Sequence, residues 1–126
     1  MRSRFGLHRR LRTAAEFDAV FKRGARIESR LFVLVVAPNQ ARVDRLGLAV
    51  SRRVGGAVAR NRARRLLRES FRRTERRGAG GLDLVAIAQR ELVACGQAEV
   101  DSELRERFRR IEQRRGPDGA PVAAAD

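Results

Sequence analysis

The chain has 126 residues, and its 29 lysines and arginines outnumber its 15 aspartates and glutamates, which gives a formal net charge of +14. This length suits one domain. Hydrophobic residues form 43% of the chain, too large a share for a basic disordered tail. The longest apolar run, residues 31–38, is far shorter than the ~20 residues of a membrane span. Composition therefore excludes both classes and predicts a soluble globular domain.

Nearly all of the positive charge is arginine, because Lys22 is the only lysine. Guanidinium groups pair bidentately with phosphates and stack on bases, so the composition indicates a polyanionic partner. The first four residues include two arginines with no apolar run behind them, and the single Cys95 has no partner for an internal disulfide. We therefore expect a reducing, cytoplasmic location.

The two ends of the chain differ from its middle. Residues 1–12 carry five arginines and no acidic residue, which predicts a basic arm that is mobile until a partner binds. Residues 116–126 are mostly Pro, Gly and Ala without periodicity, which predicts a disordered tail. A single domain is expected over residues 13–115.

The first predicted helix covers residues 14–23. Thr13 and Glu16 have the spacing of a capping box, and Gly24 provides the C-terminal stop. One face of this helix carries Phe17, Val20 and Phe21. An aromatic pair at this spacing fits either the core or a partly exposed platform for a ligand, and the sequence leaves both open.

Three strands and a last helix are predicted in the rest of the chain. Residues 30–37 are apolar and β-branched, and residues 46–51 follow a polar turn, so we expect these strands to form a hairpin. Residues 82–89 predict a third strand. A final amphipathic helix is expected over residues 97–114, with its core face formed by Val100, Leu104, Phe108 and Ile111.

The most informative segment is residues 52–77, with eleven arginines, two glutamates and a net charge of +9. At ~100° per residue a helix here separates two faces. The core face is Ala63, Leu66, Leu67, Ser70, Phe71 and Thr74. The basic face is Arg60, Arg64, Arg65, Arg68, Arg72 and Arg76. Arginines at successive i+4 positions are ~6 Å apart along the helix axis, close to the phosphate spacing of a nucleic-acid strand. Binding to phosphates therefore explains this face better than solubility does.

The preceding Gly55 and Gly56 fit an ordinary turn or an anion site equally well.

Three adjacent motifs in this segment resemble a known signature. They are VSRRVGGAV at residues 50–58, RNR at 60–62 and RRLLRE at 64–69. Together they resemble the bacterial ribonuclease P protein component, the small basic subunit of the RNA-based enzyme that matures the 5′ end of tRNA. The resemblance extends over residues 5–114, including the FxxVF pattern that begins at Phe17.

The resemblance implies a fold. It is a two-layer α/β (α+β) sandwich of order αβββαβα around a mixed central sheet. This order adds a short strand, expected near residues 26–29, to those read from the sequence. It also implies a left-handed βαβ crossover through the arginine-rich helix, against the usual right-handed rule.

The resemblance also implies two RNA-binding sites. The catalytic RNA would be bound by Arg60, Asn61, Arg62, Arg64, Arg65 and Arg68. The 5′ leader of precursor tRNA would be bound by Phe17, Phe21, Phe32, Val35, Ser51, Arg52 and Arg53. Two positions depart from the family pattern: Gly56 replaces a frequent asparagine, and Val35 replaces a frequent aromatic residue, which weakens stacking there.

The implied role is that of a non-catalytic protein subunit of an endoribonuclease. Its partners would be ribonuclease P RNA and precursor tRNA, with no membrane and no small-molecule substrate. Mg²⁺ would be held mainly by the RNA subunit and the substrate. The residues agree with this, because His8 is the only histidine and lacks a plausible partner, and the chain has no zinc-binding cluster or phosphate loop. A structural RNA-binding protein, such as a ribosomal component, is the alternative, and a protein nuclease is disfavoured.

Overall fold

The computed structural model describes residues 10–40, 43–74 and 81–113. Over these residues the elements follow in the order α1 (Ala14–Arg23), β1 (Ala25–Glu28), β2 (Phe32–Asn39), β3 (Arg45–Ala49), α2 (Ala57–Arg73), β4 (Gly81–Ala88) and α3 (Gln97–Gln113). Two short 3₁₀ segments, which we name the 52–54 turn (Arg52–Val54) and the 90–94 turn (Arg90–Ala94), precede α2 and α3. The order αβββαβα is confirmed, and β1 is the strand that only the resemblance implied.

The four strands form a mixed sheet in the order β1-β2-β4-β3. Strand β4 is antiparallel to β2 and parallel to β3. The predicted hairpin between β2 and β3 is therefore wrong, because β4 lies between them. Seven of the eight β4 residues are buried, whereas three of the five β3 residues are half-buried, so β4 takes the centre and β3 an edge. The parallel β3–α2–β4 connection agrees with the implied crossover, whose left-handed sense stays a prediction.

The two faces of the sheet are covered by different helices. Residues Phe32, Leu34 and Val36 of β2 belong to the larger core, with the buried residues of α2 and α3. Val35 and Ala37 belong to a smaller core with Val20 of α1. This division follows from the strand period of two, which sends alternate side chains to opposite faces.

Helices α2 and α3 pack as the sequence predicted. All six residues of the predicted α2 core face are buried, as are Val100, Leu104, Phe108 and Ile111 of α3. The rings of Phe71 and Phe108 meet edge to face with centroids 5.5 Å apart. Gln97 Nε2 donates to Leu66 O at 3.0 Å, a polar contact that ties the start of α3 to α2.

The end of the predicted N-terminal arm is part of the folded domain. Leu11 N donates to Leu46 O at 2.9 Å, and Arg10 forms a parallel β-bridge with Leu46. The Leu11 side chain is buried in the smaller core. A mobile arm up to residue 12 is therefore wrong for residues 10–12. Residues 1–9 and the predicted tail at 116–126 lie outside the described residues.

Candidate nucleic-acid interface

The turn that leads into α2 contains a glycine that no other residue can replace without strain. Gly55 has a φ of 143°, and a Cβ there would lie 2.8 Å from Ala59 Cβ. Gly56 is the N-cap of α2 and makes no side-chain capping bond. A Cβ at Gly56 would meet nothing within 4 Å. The backbone of the turn therefore explains Gly55, and Gly56 simply lacks the capping group that asparagine would supply.

Four of the predicted α2 arginines have no carboxylate partner among the described residues. Arg65 and Arg68 are exposed, and Arg60 and Arg64 are partly exposed. Arg64 Nη1 donates to Asn61 Oδ1 at 3.2 Å, so Asn61 orients that guanidinium. By contrast, Arg72 pairs with Glu69 and Arg73 lies 3.7 Å from Asp101. The unneutralised charge is thus concentrated in the first three turns of α2.

Arg62 has a different environment. Its Nε donates to Val93 O at 2.9 Å, and its Nη2 donates to Cys95 O at 2.7 Å. Val93 is in the 90–94 turn and Cys95 directly follows it, and this turn lies against α2. The guanidinium of Arg62 is therefore held by the protein's own backbone.

A basic cleft joins α2 to the edge of the sheet. Its volume is about 340 Å³, and its arginine lining consists of Arg10, Arg12, Arg64 and Arg68. Burial, followed by the charges of Arg10 and Arg64, lowers the pKa of Arg68. The sequence did not predict that Arg10 and Arg12 join the α2 face. The signal was their position just before and after Leu11, an apolar residue suited to anchoring the segment.

Helix α1 is fixed to the sheet through its first turn. The capping box is confirmed: Glu16 N donates to Thr13 Oγ1 at 3.1 Å, and Thr13 N donates to Glu16 Oε1 at 3.0 Å. Backbone hydrogen bonds from Arg12 and Thr13 lower the pKa of Glu16. Arg45 on β3 lies 3.8 Å from Glu16 and donates two 2.8 Å hydrogen bonds to Asp83 on β4. The hydrogen bonds to Asp83 raise the pKa of Arg45. Arg45 thus links α1 to two strands.

The aromatic pair of α1 has one ring half-buried and one exposed. Phe17 packs against the smaller core, whereas Phe21 is 42% exposed. Their centroids are 6.4 Å apart with the planes tilted by 52°. The structure therefore decides between the two alternatives that the sequence left open: Phe17 is anchored and Phe21 is open to solvent.

Two predicted leader-binding residues are in the protein core. Phe32 is fully buried on the face covered by α2 and α3, and Val35 is 1% exposed beneath α1. Phe32 and Val35 are three positions apart on one strand, so they cannot share a face. On the α1 face, Ala49 and Ile87 are paired across β3 and β4 and are half-buried. Neither residue was predicted from the sequence, although the alternation of side chains along a strand places both on this face.

The remaining predicted residues, Ser51, Arg52 and Arg53, lie directly after β3 and are all exposed. Ser51 Oγ accepts a 3.3 Å hydrogen bond from Arg53 N. This bond caps the 52–54 turn, whose two arginines are exposed. They follow the last residue of β3, Ala49, by three and four positions, and Val54 beside them is buried in the larger core.

Comparison with known proteins gives one family. The family model named Ribonuclease P matches residues 5–112 of this chain. The chain belongs to the ribonuclease P protein family. A ribonuclease P protein component from Desulfatibacillum aliphaticivorans is 42% identical over 90 residues, covering 71% of this chain and 74% of the relative. One from Clostridium kluyveri is 40% identical over 98 residues, covering 76% and 88%.

Solved structures of ribonuclease P proteins have the same fold. The protein from Thermotoga maritima is 33% identical, with a TM-score of 0.73 over 82% of this chain and 97% of its own. A Staphylococcus aureus ribonuclease P protein is 26% identical, with a TM-score of 0.71 over 80% and 93%. The family's role in processing the 5′ end of tRNA, and an RNA partner, follow for this chain. They replace the alternative of a ribosomal component.

Neither a metal centre nor a membrane span is found in the described part of this ribonuclease P protein. Among residues 10–40, 43–74 and 81–113, no group of three His, Cys, Asp or Glu side chains is placed to hold a metal ion. No helix within those residues has the length and apolar character needed to cross a bilayer.

Proposed function

We propose that this chain is the protein subunit of a ribonuclease P holoenzyme and that it contacts two RNAs through two surfaces. The first surface is the basic face of α2, which contacts ribonuclease P RNA. The second combines the α1 face of the sheet with the 52–54 turn and contacts the 5′ leader of precursor tRNA. The RNA subunit carries out phosphodiester hydrolysis, with Mg²⁺ held mainly by RNA and substrate.

The observation that carries the first contact is the row of unpaired arginines on α2. Like charges at i and i+4 destabilise an isolated helix by a few tenths of a kcal/mol per pair. Arg60, Arg64 and Arg68 follow each other at that spacing, and the described residues place no carboxylate against them. Phosphates would remove this repulsion and release counterions from the RNA. Asn61 and Arg65 complete this surface.

The second contact is supported by an exposed aromatic ring on α1 and by two half-buried apolar residues on the sheet face that α1 covers. Phe21 presents an open aromatic face, and Ala49 and Ile87 are half-buried on the same side of the sheet as α1. Unpaired bases stack on aromatic side chains, while nearby cations follow the backbone. Arg52 and Arg53 supply those cations. Phe32 and Val35 are not part of this proposal, because both are buried.

This arrangement suits a protein that binds substrate better than product. Cleavage removes the leader, so the mature tRNA no longer occupies the second surface. The first surface would also reduce repulsion between the two RNAs by placing positive charge between them. Both effects assist the reaction without a catalytic side chain in the protein.

Reconstitution tests the proposal. Cleavage of a precursor tRNA by the cognate ribonuclease P RNA would be measured at low Mg²⁺, with and without the full-length protein. We expect the protein to stimulate cleavage and to lower the KM of the leader-bearing substrate. A mature tRNA with no leader serves as the binding control. If the protein gives no stimulation, the proposed function is wrong.

A further inference from the structure

Arg62 lies in the middle of the basic segment of α2 and is exposed, yet two nitrogens of its guanidinium are hydrogen-bonded to the protein backbone. Its Nε and Nη2 donate to Val93 O and Cys95 O at 2.9 and 2.7 Å. The last carbonyl groups of a helical segment have no partner within that segment. A planar guanidinium can satisfy two such carbonyls at once. Arg62 therefore supplies hydrogen-bond donors to two backbone carbonyl groups at the end of the 90–94 turn and just after it.

The 90–94 turn, which Arg62 holds, is in contact with the 52–54 turn. It packs against both α2 and the 52–54 turn. Leu92 of the first turn is fully buried and Val54 of the second is 4% exposed, and both belong to the larger core. The exposed residues of the 52–54 turn are Arg52 and Arg53. Arg62 thus binds the turn that packs against the 52–54 turn, which carries two leader-binding candidates.

We infer that Arg62 is a positioning residue, which fixes the 90–94 turn and through it the presentation of Arg52 and Arg53, and that it does not bind a phosphate of ribonuclease P RNA. This inference rests on the proposed function of the α2 face and of the 52–54 turn. It separates Arg62 from the other arginines of the signature, which have the same charge and a different environment.

Arg65 provides the matched control. It lies three residues further along the same helix and is exposed, and its side chain makes no hydrogen bond or ion pair with the residues that the structure describes. Glutamine at either position removes one positive charge. Only R62Q also weakens the two bonds to the 90–94 turn.

The first measurement is the salt dependence of binding between full-length protein and the cognate ribonuclease P RNA. Each phosphate that the protein no longer neutralises flattens the slope of log K against log salt by about 0.7–0.9. We expect R65Q to flatten the slope by this amount and R62Q to keep the wild-type slope, both measured below the thermal transition of R62Q. Equal flattening in the two variants would overturn the inference. If R65Q has the wild-type slope, the proposed α2 interface fails, and the second measurement decides on Arg62.

The second measurement is the ratio of holoenzyme affinities for leader-bearing and mature tRNA. R62K keeps the charge but lacks the planar fork that reaches both carbonyls, and such an exchange is not conservative at a bidentate site. We expect R62K to reduce this ratio by roughly tenfold, the scale of one charged hydrogen bond, while keeping the salt slope. R105K, at an exposed position of α3 outside both proposed surfaces, should keep both. An R62K protein with the wild-type ratio would show that Arg62 does not position the 52–54 turn.

Discussion

The ring of Phe17 lies directly over Gly47, so close that a Cβ at position 47 would come within 2.6 Å of Phe17 Cζ. Gly47 is buried in the edge strand β3, on the face covered by α1. The missing side chain leaves the space that Phe17 occupies. The ring of Phe21, on the next turn of the helix, has its centroid 6.4 Å from that of Phe17.

We therefore expect G47A to push Phe17 off the sheet. Overpacking of this kind costs about 1–3 kcal/mol, which denaturant unfolding would measure. The same substitution at Gly96 serves as the control, because a Cβ there meets nothing within 4 Å. An unchanged unfolding midpoint in G47A would mean that the Phe17 ring is not held at this place.

Replacing Phe21 with alanine should affect binding more than stability, because the ring is 42% exposed. If a base of the leader stacks on it, the affinity for leader-bearing tRNA falls by ~1–3 kcal/mol. Filter binding with leader-bearing and mature tRNA would measure this decrease. F71A is the contrasting variant, since Phe71 is fully buried and its truncation should cost about 3–5 kcal/mol of stability. A large fall in Tm for F21A, with affinity unchanged, would place the ring in the core instead.

Triple substitution of Arg60, Arg65 and Arg68 by alanine should weaken binding to ribonuclease P RNA and flatten its salt dependence. The expected change approaches one unit of slope for each phosphate that is no longer neutralised. Titrations at several salt concentrations would measure the slope. R105A is the control, because Arg105 is exposed on α3, away from the proposed surface. A triple variant with the wild-type slope would contradict the α2 interface.

Stability should fall on the acidic side partly because of Glu16, whose pKa is held below its usual 4.5 by backbone hydrogen bonds from Arg12 and Thr13. A carboxylate with a depressed folded pKa stabilises the protein above its unfolded pKa, and this contribution is lost as the pH falls through the folded value. E16Q removes the titrating group. We expect the difference in unfolding free energy between wild type and E16Q to shrink as the pH falls below about 4.5, the ordinary glutamate pKa. Glu69 and Glu99 also have lowered pKa values, but they titrate in both proteins and cancel in the difference. A difference that does not vary with pH would contradict this role of Glu16.

The sequence predicted the features that depend on neighbouring residues. The capping box of α1, the two faces of α2 and the core face of α3 each follow from spacing within one helix. Strand pairing depends on distant residues, so the short connection between β2 and β3 wrongly suggested a hairpin. Strand β1 has four residues and one buried side chain, too little pattern for detection without a relative.

In the candidate site, too, the sequence predicted the features that depend on neighbouring residues and missed those that depend on distant ones. The exposed arginines of α2 came from helical periodicity, whereas the bonds of Arg62 to Val93 and Cys95 join segments about thirty residues apart. No local pattern indicates such a contact. Phe32 and Val35 were predicted for one binding surface, but their odd spacing along β2 sends the two side chains to opposite faces of the sheet, where both are buried.

Both outer edges of the sheet are protected against pairing with another chain. Strand β1 is short and carries the exposed charges of Arg26 and Glu28. At the other edge, Leu11 N donates a hydrogen bond to Leu46 O of β3, and Arg10 and Arg12 lie on either side of Leu11 in the chain. Open strand edges are templates for aggregation, and proteins block them with short strands, charge or a covering segment. Residues 10–12 therefore help to prevent edge-to-edge pairing between copies of this protein that are not bound to RNA.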